Sequence, residues 1–399
     1  MLELIINKNE KIETICLVDN GKLIEYYQNN EESKRNRLEG NIYAGKICDI
    51  IPGMQSSFVD YGESKKGLLH LKDAIPQIDE KTIKEEEKNK NIKISDVVKQ
   101  NQKILIQIKK DSNDKKGAKV SAHISIPSKY IVFMPNTNIV TISQKIDDEK
   151  RKNELIKLVA NNLTNGDGAV IRTAAENANE EEIKKDINRC TKKWDEIMQK
   201  FEKSDVCNLI YEAESVQEKI LLDLKIDKVT TNSKEEFQKI KNLIKAEELK
   251  GTKLELLPKQ NLLRIYELDE KINKLKNRKI WLNCGGFITI DKTEALTAID
   301  VNTGKFTGSA DAESTIFKVN KEATFEIAKQ LRLRDIGGII IIDYIDMHIQ
   351  ENKDKIEQLL NEQLKQDRAK TQVEGFTKLN LMELTRKHIC SHLDWFAAI

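Results

Sequence analysis

Long apolar runs, clustered cysteines and an abundance of proline or glycine are all missing from this 399-residue sequence. No segment approaches the eighteen or so apolar residues of a membrane span, and the start "MLELIINKNEKIETI" lacks the basic-then-apolar order of a signal peptide. The six cysteines are scattered without a CxxC pair, which excludes a dense disulfide framework. With 5 prolines and 17 glycines, nothing suggests a fibrous or disordered class. We therefore expect a soluble, cytoplasmic protein whose reduced thiols lie mostly in the core.

An excess of one charge is also missing. Lysine plus arginine (67) nearly balance aspartate plus glutamate (65), so the formal net charge is only +2. A site for a polyanion must therefore be a local patch. The length allows two to four domains, each with its own core.

The first third of the chain has the pattern of short β-strands. Residues 1–35 form a predicted hairpin around the turn signal Asp19-Asn20-Gly21, and this unit is too small to be a domain alone. Five short strands follow between residues 36 and 125, which is typical of a small closed barrel such as an OB fold. The charged segment 79–96 within this region is interpreted as a solvated insertion.

Helical spacing takes over after a further strand at "YIVFMP". An apolar stripe on a charged segment predicts a helix whose buried face carries Ile183, Ile187, Trp194, Ile197, Met198 and Phe201. Further helices are predicted near 212–224, 233–248 and 264–277. From residue 279 onward, strands alternate with helices at about 313–333 and 352–366, which is typical of a compact α/β layer domain.

Two strands of this last region end in aspartate. The run "GGIIIIDYIDM" (337–347) predicts a strand buried on both faces, with Asp343 and Asp346 at its mouth. In "ALTAIDVNTG", Asp300 and Asn302 share one face of their strand, and the helix between the two strands forms a crossover that can set them side by side. Converging aspartates would bind Mg²⁺ or Mn²⁺, which suits phosphodiester hydrolysis. The alternatives are an Asx turn, a helix cap or an ordinary strand end.

Two further patterns leave a binding role and a structural role both open. Arg332 and Arg334 beside Asp335 can grip phosphate or form a structural pair. Phe58 and the basic stretch Lys109–Lys119 can join a stacking platform to phosphate-attracting lysines. The alternatives are a buried phenylalanine and a solvated hairpin tip.

Three long segments make the sequence resemble the bacterial ribonuclease E/G family. "LTAIDVNTGKFTG", "TIFKVNKEATFEIAKQLRLRDIGGIIIIDYIDM" and "LNLMELTRK" resemble its catalytic region, and "GNIYAGKICDIIPGMQSSFVDYGESKKGLLHL" resembles its RNA-binding OB domain, with "PGMQSSFVDYG" closer to the ribonuclease G branch. The resemblance spans nearly the whole chain. It implies a multidomain α+β fold with these parts: an RNase H-like subdomain split between 1–35 and 208–278, an OB domain at 36–125, a 5′-sensor region at 126–207 and a DNase-like catalytic domain at 279–399.

The resemblance also assigns roles to individual residues. The family's metal-binding aspartates correspond to Asp300 and Asp343, and its supporting amide to Asn302, with Asp346 as a secondary candidate. The 5′-monophosphate sensor corresponds to Arg172 and Thr173, with the backbone of Val132. The RNA contacts of the OB domain correspond to Phe58 and Lys116 within the basic stretch that also contains Lys110.

Some positions depart from the family pattern. Leu68 replaces the second OB aromatic, Ser128 a sensor glycine and Lys370 a catalytic-domain arginine, so stacking and grip on RNA are expected to be weaker. The family follows its catalytic domain with a CPxC zinc-sharing link, whereas this sequence ends at "HICSHLDWFAAI". Cys390 with His388 and His392 cannot readily close a tetrahedral site from one chain. We therefore expect no zinc and, at most, a weak homodimer.

These observations together predict a Mg²⁺-dependent endoribonuclease, with Mn²⁺ as a substitute, that cleaves single-stranded RNA. The resemblance implies stimulation by a 5′-monophosphate, products with a 5′-phosphate and a 3′-hydroxyl, and a role in rRNA and mRNA processing and decay. The alternative is a non-catalytic RNA-binding or ribosome-associated protein of the same fold.

Overall fold

The computed structural model describes residues 1–30, 37–74, 92–112, 116–164, 166–304 and 312–390. The strands, in chain order, are β1 (Leu2–Lys8), β2 (Ile12–Asp19), β3 (Lys22–Asn30), β4 (Ile42–Ile51), β5 (Ser56–Asp60), β6 (Gly67–His70), β7 (Lys103–Lys110), β8 (Lys119–Ser121), β9 (Ile126–Pro127), β10 (Ile131–Met134), β11 (Val140–Ile142), β12 (Gly168–Ile171), β13 (Asn208–Tyr211), β14 (Lys228–Thr231), β15 (Lys253–Leu256), β16 (Lys279–Trp281), β17 (Phe287–Lys292), β18 (Leu296–Asn302), β19 (Gly338–Asp343), β20 (Thr371–Phe376) and β21 (Leu381–Arg386). The α-helices are α1 (Leu71–Ala74), α2 (Ile94–Val97), α3 (Glu149–Asn162), α4 (Glu180–Lys203), α5 (Val216–Asp223), α6 (Lys234–Ala246), α7 (Leu262–Ile265), α8 (Asp269–Lys274), α9 (Ala312–Leu333) and α10 (Gln350–Lys365).

The described chain divides into two compact units. The first unit contains the N-terminal strands up to residue 30, residues 216–221 and the chain from residue 225 onward. The second unit contains the chain from residue 37 to residue 215 and residues 222–224. No helix among the described residues is both long and apolar enough to cross a membrane.

The N-terminal hairpin of the first unit is completed by strands from much later in the chain. The sheet order is β15-β14-β1-β2-β3, with β1 antiparallel to β2 and parallel to β14. At the turn between β2 and β3, Asn20 and Gly21 both have positive φ, which is the backbone that a tight hairpin turn requires and that Asn-Gly adopts readily. β14 pairs with the edge of β1, and Leu262 of α7 and Ile272 of α8 pack in one core with apolar side chains of β1 and β2.

A second sheet in the first unit has the order β16-β17-β18-β19-β21-β20. The crossover through α9 makes β18 and β19 parallel neighbours, as the sequence predicted, while the other pairings are antiparallel. Ile340 and Ile342 of β19 are fully buried in a core with residues of α9 and α10. In contrast, Ile339 is 52% exposed, so the prediction of a strand buried on both faces was wrong. The helices cover one face of the sheet, and alternate side chains of the isoleucine run lie on the other, open face.

The second unit contains the predicted five-stranded barrel. Strands β4, β5, β6, β8 and β7 are paired in that order, and β4 also pairs with β7, which closes the barrel. The strand β13 adds to the free edge of β4. A four-stranded sheet, β11-β12-β10-β9, lies beside α3 and α4 in the same unit.

Three details differ from the sequence predictions. The helix expected at 264–277 is broken into α7 and α8, because Glu267 between them adopts positive φ. Along α4, Ile183, Ile187 and Ile197 are buried, whereas Trp194, Met198 and Phe201 are only half-buried. Most of the charged segment 79–96 lies outside the described residues, but Ile94 near its end is fully buried in the barrel core rather than solvated. The six cysteines are all free thiols, and Cys16, Cys190 and Cys390 are buried.

Candidate active site

Two aspartates lie side by side on the open face of the second sheet. The parallel pairing of β18 and β19 places Asp300 directly opposite Asp343, and both side chains are exposed. Their strand neighbours Ile299, Val301 and Ile342 point into the helix-covered core. Because side chains alternate along a strand, the two carboxylates share the opposite face of the sheet. The arrangement therefore places two carboxylates side by side on adjacent strands, with neither of them fully buried.

Asn302 supports this pair from the same face of β18. Its amide Nδ2 donates a hydrogen bond to Oδ2 of Asp300, at 2.5 Å. Such a donor fixes the orientation of the Asp300 carboxylate. On the other side of Asp300, the antiparallel neighbour β17 places Thr289 directly opposite. Sequence reasoning missed Thr289, although the hairpin register between β17 and β18 would have indicated it.

Asp346 lies beyond the end of β19. Its carboxylate is exposed and accepts a hydrogen bond from the Asn380 amide at 3.3 Å. Among the described residues, no group of three or more acidic, histidine or cysteine side chains is arranged to hold a metal ion. The charge of Asp346 acts on Asp343, but Asp346 does not complete a three-carboxylate cluster with the aspartate pair.

The electrostatics of the pair favour a cation. Partial burial raises the pKa of Asp343 above its ordinary value, and the negative charges of Asp300 and Asp346 raise it further. A raised carboxyl pKa means that the ionised form is destabilised at this position. A bound cation would remove that penalty, and Mg²⁺ prefers oxygen ligands while keeping several waters, so two carboxylates are sufficient protein ligands for it. The residues present therefore fit a hydrated divalent cation.

Arg334 and Asp335 are structural and do not form a pair with each other. The Arg334 side chain is buried and donates to the Gln330 side chain at 2.7 Å and to the Asn277 carbonyl oxygen at 2.8 Å. Burial lowers the pKa of Arg334 to about 10, so it stays charged at neutral pH. Asp335 instead pairs with Arg386 at 2.8 Å. The buried position of Arg334 removes it as a candidate for gripping phosphate.

Arg172, the candidate 5′-phosphate ligand, lies in the second unit at the end of β12. Its Nη1 donates to the Ser128 carbonyl oxygen at 2.6 Å, and its Nη2 forms an ion pair with Asp223. The hydroxyl of Ser128, which departs from the family pattern, donates to the fully buried Asp186 at 2.7 Å. A phosphate that binds Arg172 would therefore compete with, or extend, an existing ion pair.

The other two sensor candidates flank Arg172. Thr173 is exposed, begins a short 3₁₀ turn (Thr173–Ala175), and its hydroxyl lies 3.0 Å from that of Ser143. Val132 lies on β10, directly opposite Val170 of the antiparallel strand β12. The structure thus brings Arg172, Thr173 and the Val132 backbone onto neighbouring strand ends of one sheet.

The candidate RNA contacts of the barrel form a row across its outer surface. Phe58 on β5 is half-buried and lies opposite Leu68 on β6, whereas the adjacent Val59 is fully buried, so Phe58 is outside the barrel core. Leu68 is paired with Lys119, which in turn lies opposite Lys110. The row therefore joins an aromatic ring to two lysines, both within the predicted basic stretch Lys109–Lys119.

The remaining candidates are two lysines and the residues considered for zinc. Lys116 is exposed, and Lys370 is exposed just before β20. Cys390 is buried and its backbone N–H donates to Asp335 at 2.6 Å. Nδ1 of His388 lies 2.8 Å from the Asp335 carbonyl oxygen. His392 lies outside the described residues, so the expectation about zinc stays a prediction.

Comparisons with known proteins agree with the resemblance. The family model described as "Ribonuclease E/G family" matches residues 125–389. The ribonuclease G of Escherichia coli K12 is 34% identical over 391 residues, which cover 96% of this chain and 79% of that protein. The ribonuclease G of Haemophilus influenzae is 35% identical over 98% of this chain and 81% of its own length. A ribonuclease E from Buchnera aphidicola is 32% identical, and the alignment covers 98% of this chain but 41% of that longer protein.

Proposed function

The chain belongs to the ribonuclease E/G family, and on this basis we propose that it is an endoribonuclease that binds single-stranded RNA and hydrolyses it. The proposal depends chiefly on one observation, the exposed Asp300–Asp343 pair on adjacent parallel strands. The family match alone would also suit a protein that has kept the fold and lost the chemistry. Two ionised carboxylates held together at a cost in electrostatic energy are typical of a catalytic site.

The proposed domain layout follows that of the family. Parallel pairing of β1 with β14 supports an RNase H-like subdomain built from both ends of the first 278 residues. The closed barrel supports an OB domain, the sheet with β10 and β12 a sensor region, and the sheet with β18 and β19 a DNase-like catalytic domain. Since β13 pairs with β4 of the barrel, we place the return to the RNase H-like subdomain after that strand.

In this proposal Asp300 and Asp343 hold one Mg²⁺, for which Mn²⁺ can substitute. When bound, the cation neutralises charge that develops on the phosphate and makes a water molecule more acidic. Asn302 orients Asp300 through its amide hydrogen bond.

Two other groups of residues are proposed to position the RNA. Arg172 and Thr173 would bind a 5′-monophosphate, with the backbone of Val132 beside them, so that RNA with this end is cleaved faster. The barrel row would stack one base on Phe58 against Leu68 and attract phosphates with Lys110, and Lys116 of the same basic stretch would contact a further phosphate.

The test is cleavage of a short 5′-phosphorylated oligoribonucleotide, with Mg²⁺ and with chelator. Asp343→Asn should reduce turnover by orders of magnitude and change RNA affinity only a few-fold, because a metal ligand serves the transition state more than the ground state. Glu383→Gln is the matched control, since Glu383 is an exposed carboxylate on the adjacent strand β21, opposite Ile341. We expect near-normal cleavage from this control.

Two results would contradict the proposal. If Asp343→Asn cleaves RNA normally in Mg²⁺, the aspartate pair is not the catalytic site. If the unmodified chain binds the oligoribonucleotide but never cleaves it, the non-catalytic alternative is right.

A further inference from the structure

The open face of the second sheet carries an aromatic pair near the two aspartates. Trp281 on β16 lies directly opposite Phe287 on β17, and the ring centroids are 5.3 Å apart in an edge-to-face arrangement. Trp281 is 58% exposed, and Phe287 is half-buried. A tryptophan with more than half of its surface in water is unusual for so large an apolar side chain. The pair is too small to be a protein interface by itself, but it matches one or two planar ligands.

The strand register connects this pair to the aspartates. Phe287 lies opposite Asn302, and Thr289 lies opposite Asp300. Neighbouring strands are about 4.8 Å apart, so Phe287 is one strand and Trp281 two strands, or about 10 Å, from Asn302. The intervening residues Ile288 and Ile290 are fully buried on the helix side, which puts Phe287 and Thr289 on the same face as the carboxylates. The aromatic pair is therefore continuous with the candidate active site.

A cation completes the arrangement. Nζ of Lys279 lies 4.1 Å from the centroid of the Trp281 ring and 3.5 Å from that of Phe287. An exposed cation–π contact is weaker than base stacking, so a base can take the place of the ammonium group while that group moves to a neighbouring phosphate. The aromatic rings therefore match the base of a nucleotide, and the ammonium group of Lys279 matches its phosphate.

The hairpin that carries the pair is firmly anchored. The N–H of Leu282 donates to the Gly286 carbonyl oxygen at 2.8 Å, which closes the turn immediately after Trp281. The carboxylate of Glu322 on α9 accepts hydrogen bonds from the N–H groups of Asn283 and Cys284, the second at 3.0 Å. A Cβ on Gly286 would lie 2.8 Å from the Asn302 carbonyl oxygen, so glycine is needed for this close approach. The rings are thus held in place before any ligand binds.

From these observations we propose that Trp281 and Phe287 form a stacking subsite for an unpaired RNA base, next to the phosphate that is cleaved, and that Lys279 contacts the adjoining phosphate. This inference rests on the proposed ribonuclease function. It adds a base-binding position on the catalytic sheet itself, separate from the barrel row that contains Phe58.

The test uses the full chain with a short 5′-phosphorylated oligoribonucleotide in chelator, so that binding is measured without cleavage. Trp281→Ala should weaken binding about five- to hundredfold, the range for the loss of one stacked base, and Trp281→Phe should lose much less. Phe325→Ala is the matched control, because Phe325 is a 42% exposed aromatic residue in the same unit on α9, the helix that packs against the other face of the sheet. We expect its affinity to be unchanged.

A second measurement locates the base. An abasic nucleotide is placed at each position in turn, and the unmodified chain should lose affinity sharply at the position that stacks on Trp281. For Trp281→Ala, an abasic nucleotide at this one position should cause no further loss of affinity, whereas abasic nucleotides at the other positions should act as they do on the unmodified chain. RNA binding should also quench the part of the tryptophan fluorescence that comes from Trp281. Trp281→Phe lacks this part and should not show the quenching.

The possible failures are distinguishable. If Trp281→Ala binds and cleaves RNA normally while Asp343→Asn is inactive, the stacking subsite is wrong and the proposed function stands. If Trp281→Ala and Trp281→Phe lose affinity equally at every abasic position, the effect is not stacking and the inference fails. If Trp281→Ala instead converts an oligomer to a smaller species with unchanged RNA affinity, the aromatic pair is a protein interface.

Discussion

Replacing Asp300 with asparagine should abolish cleavage and at the same time stabilise the metal-free protein. Asp300 and Asp343 face each other on neighbouring strands, and the pKa of Asp343 is raised by partial burial and by the charges of Asp300 and Asp346. A carboxyl group with a raised pKa in the folded state makes folding less favourable as pH rises through the window from its ordinary value to the raised value. Above the raised pKa the penalty is fully present, and Asp300→Asn removes the part that comes from Asp300.

The size of this part follows from the strand spacing. Two unit charges about 5 Å apart repel by about 0.8 kcal/mol in bulk water and by about 3 kcal/mol at an effective dielectric constant of about 20. Both carboxylates are exposed, so the lower end applies and salt reduces it further. A gain of about 1 kcal/mol corresponds to a rise of about 2–4 °C in the unfolding midpoint of a unit of this size.

The assay is thermal unfolding at low ionic strength and neutral pH, first with chelator and then with increasing Mg²⁺. Mg²⁺ at about ten times its dissociation constant should stabilise the unmodified chain by about 1.4 kcal/mol and Asp300→Asn by much less. Asp291→Asn is the contrasting control, because an ion pair with Arg278 lowers the pKa of Asp291, and its loss should destabilise the protein slightly. If Asp300→Asn lowers the midpoint in chelator, or if Mg²⁺ shifts both proteins equally, the electrostatic argument is refuted.

Two other predictions concern the second unit. Arg172→Gln should reduce cleavage of 5′-monophosphorylated RNA about ten- to hundredfold, as expected from a charge-assisted hydrogen bond of about 1.5–3 kcal/mol. Cleavage of 5′-hydroxyl RNA should hardly change. Equal losses on both substrates would show that Arg172 serves only its ion pair with Asp223. Phe58→Ala should weaken RNA binding by about 1–3 kcal/mol with an unchanged salt dependence, whereas Lys116→Ala should reduce the salt slope by about 0.7. If Phe58→Ala unfolds the protein instead, its ring serves packing and not RNA.

Local patterns were sufficient to predict the elements that surround the candidate site. Alternation within five short segments indicated the barrel, which the closing pair β4–β7 confirms. The helix between the two strands indicated a parallel crossover that could set Asp300 beside Asp343. The structure confirms this pairing, with Asp343 at the end of β19 and Asp300 two residues before the end of β18. Each of these inferences depended on the spacing of apolar residues and on the order of strands and helices along the chain, and both can be read from a single sequence.

Contacts between residues far apart in the sequence could not be predicted in the same way. Asp335 follows Arg334 in the chain, which suggested a local pair, but its partner is Arg386, which also pairs with Asp367 at 2.8 Å. The break between α7 and α8 depends on the backbone of Glu267, a residue type that does not usually mark a helix end. In both cases the outcome is decided by tertiary packing, which overrides the local preference.

The isoleucine run failed as a predictor for a reason that concerns function. A strand with one solvated face normally alternates apolar and polar residues, and this alternation is what identifies the open face. Here the open face carries Ile339 and Trp281, exposed by 52% and 58%, together with the half-buried Ile341. Apolar side chains are costly to leave in water unless a ligand or partner covers them for part of the time. A single-stranded RNA presents apolar base faces and charged phosphates in alternation. Exposed apolar side chains can contact the bases, and a cation on the proposed carboxylate pair can contact a phosphate. Such a mixed face suits single-stranded RNA better than an all-polar face would. The exposed and half-buried isoleucines of β19, which made the strand look buried on both faces in the sequence, therefore support RNA as the ligand of this face.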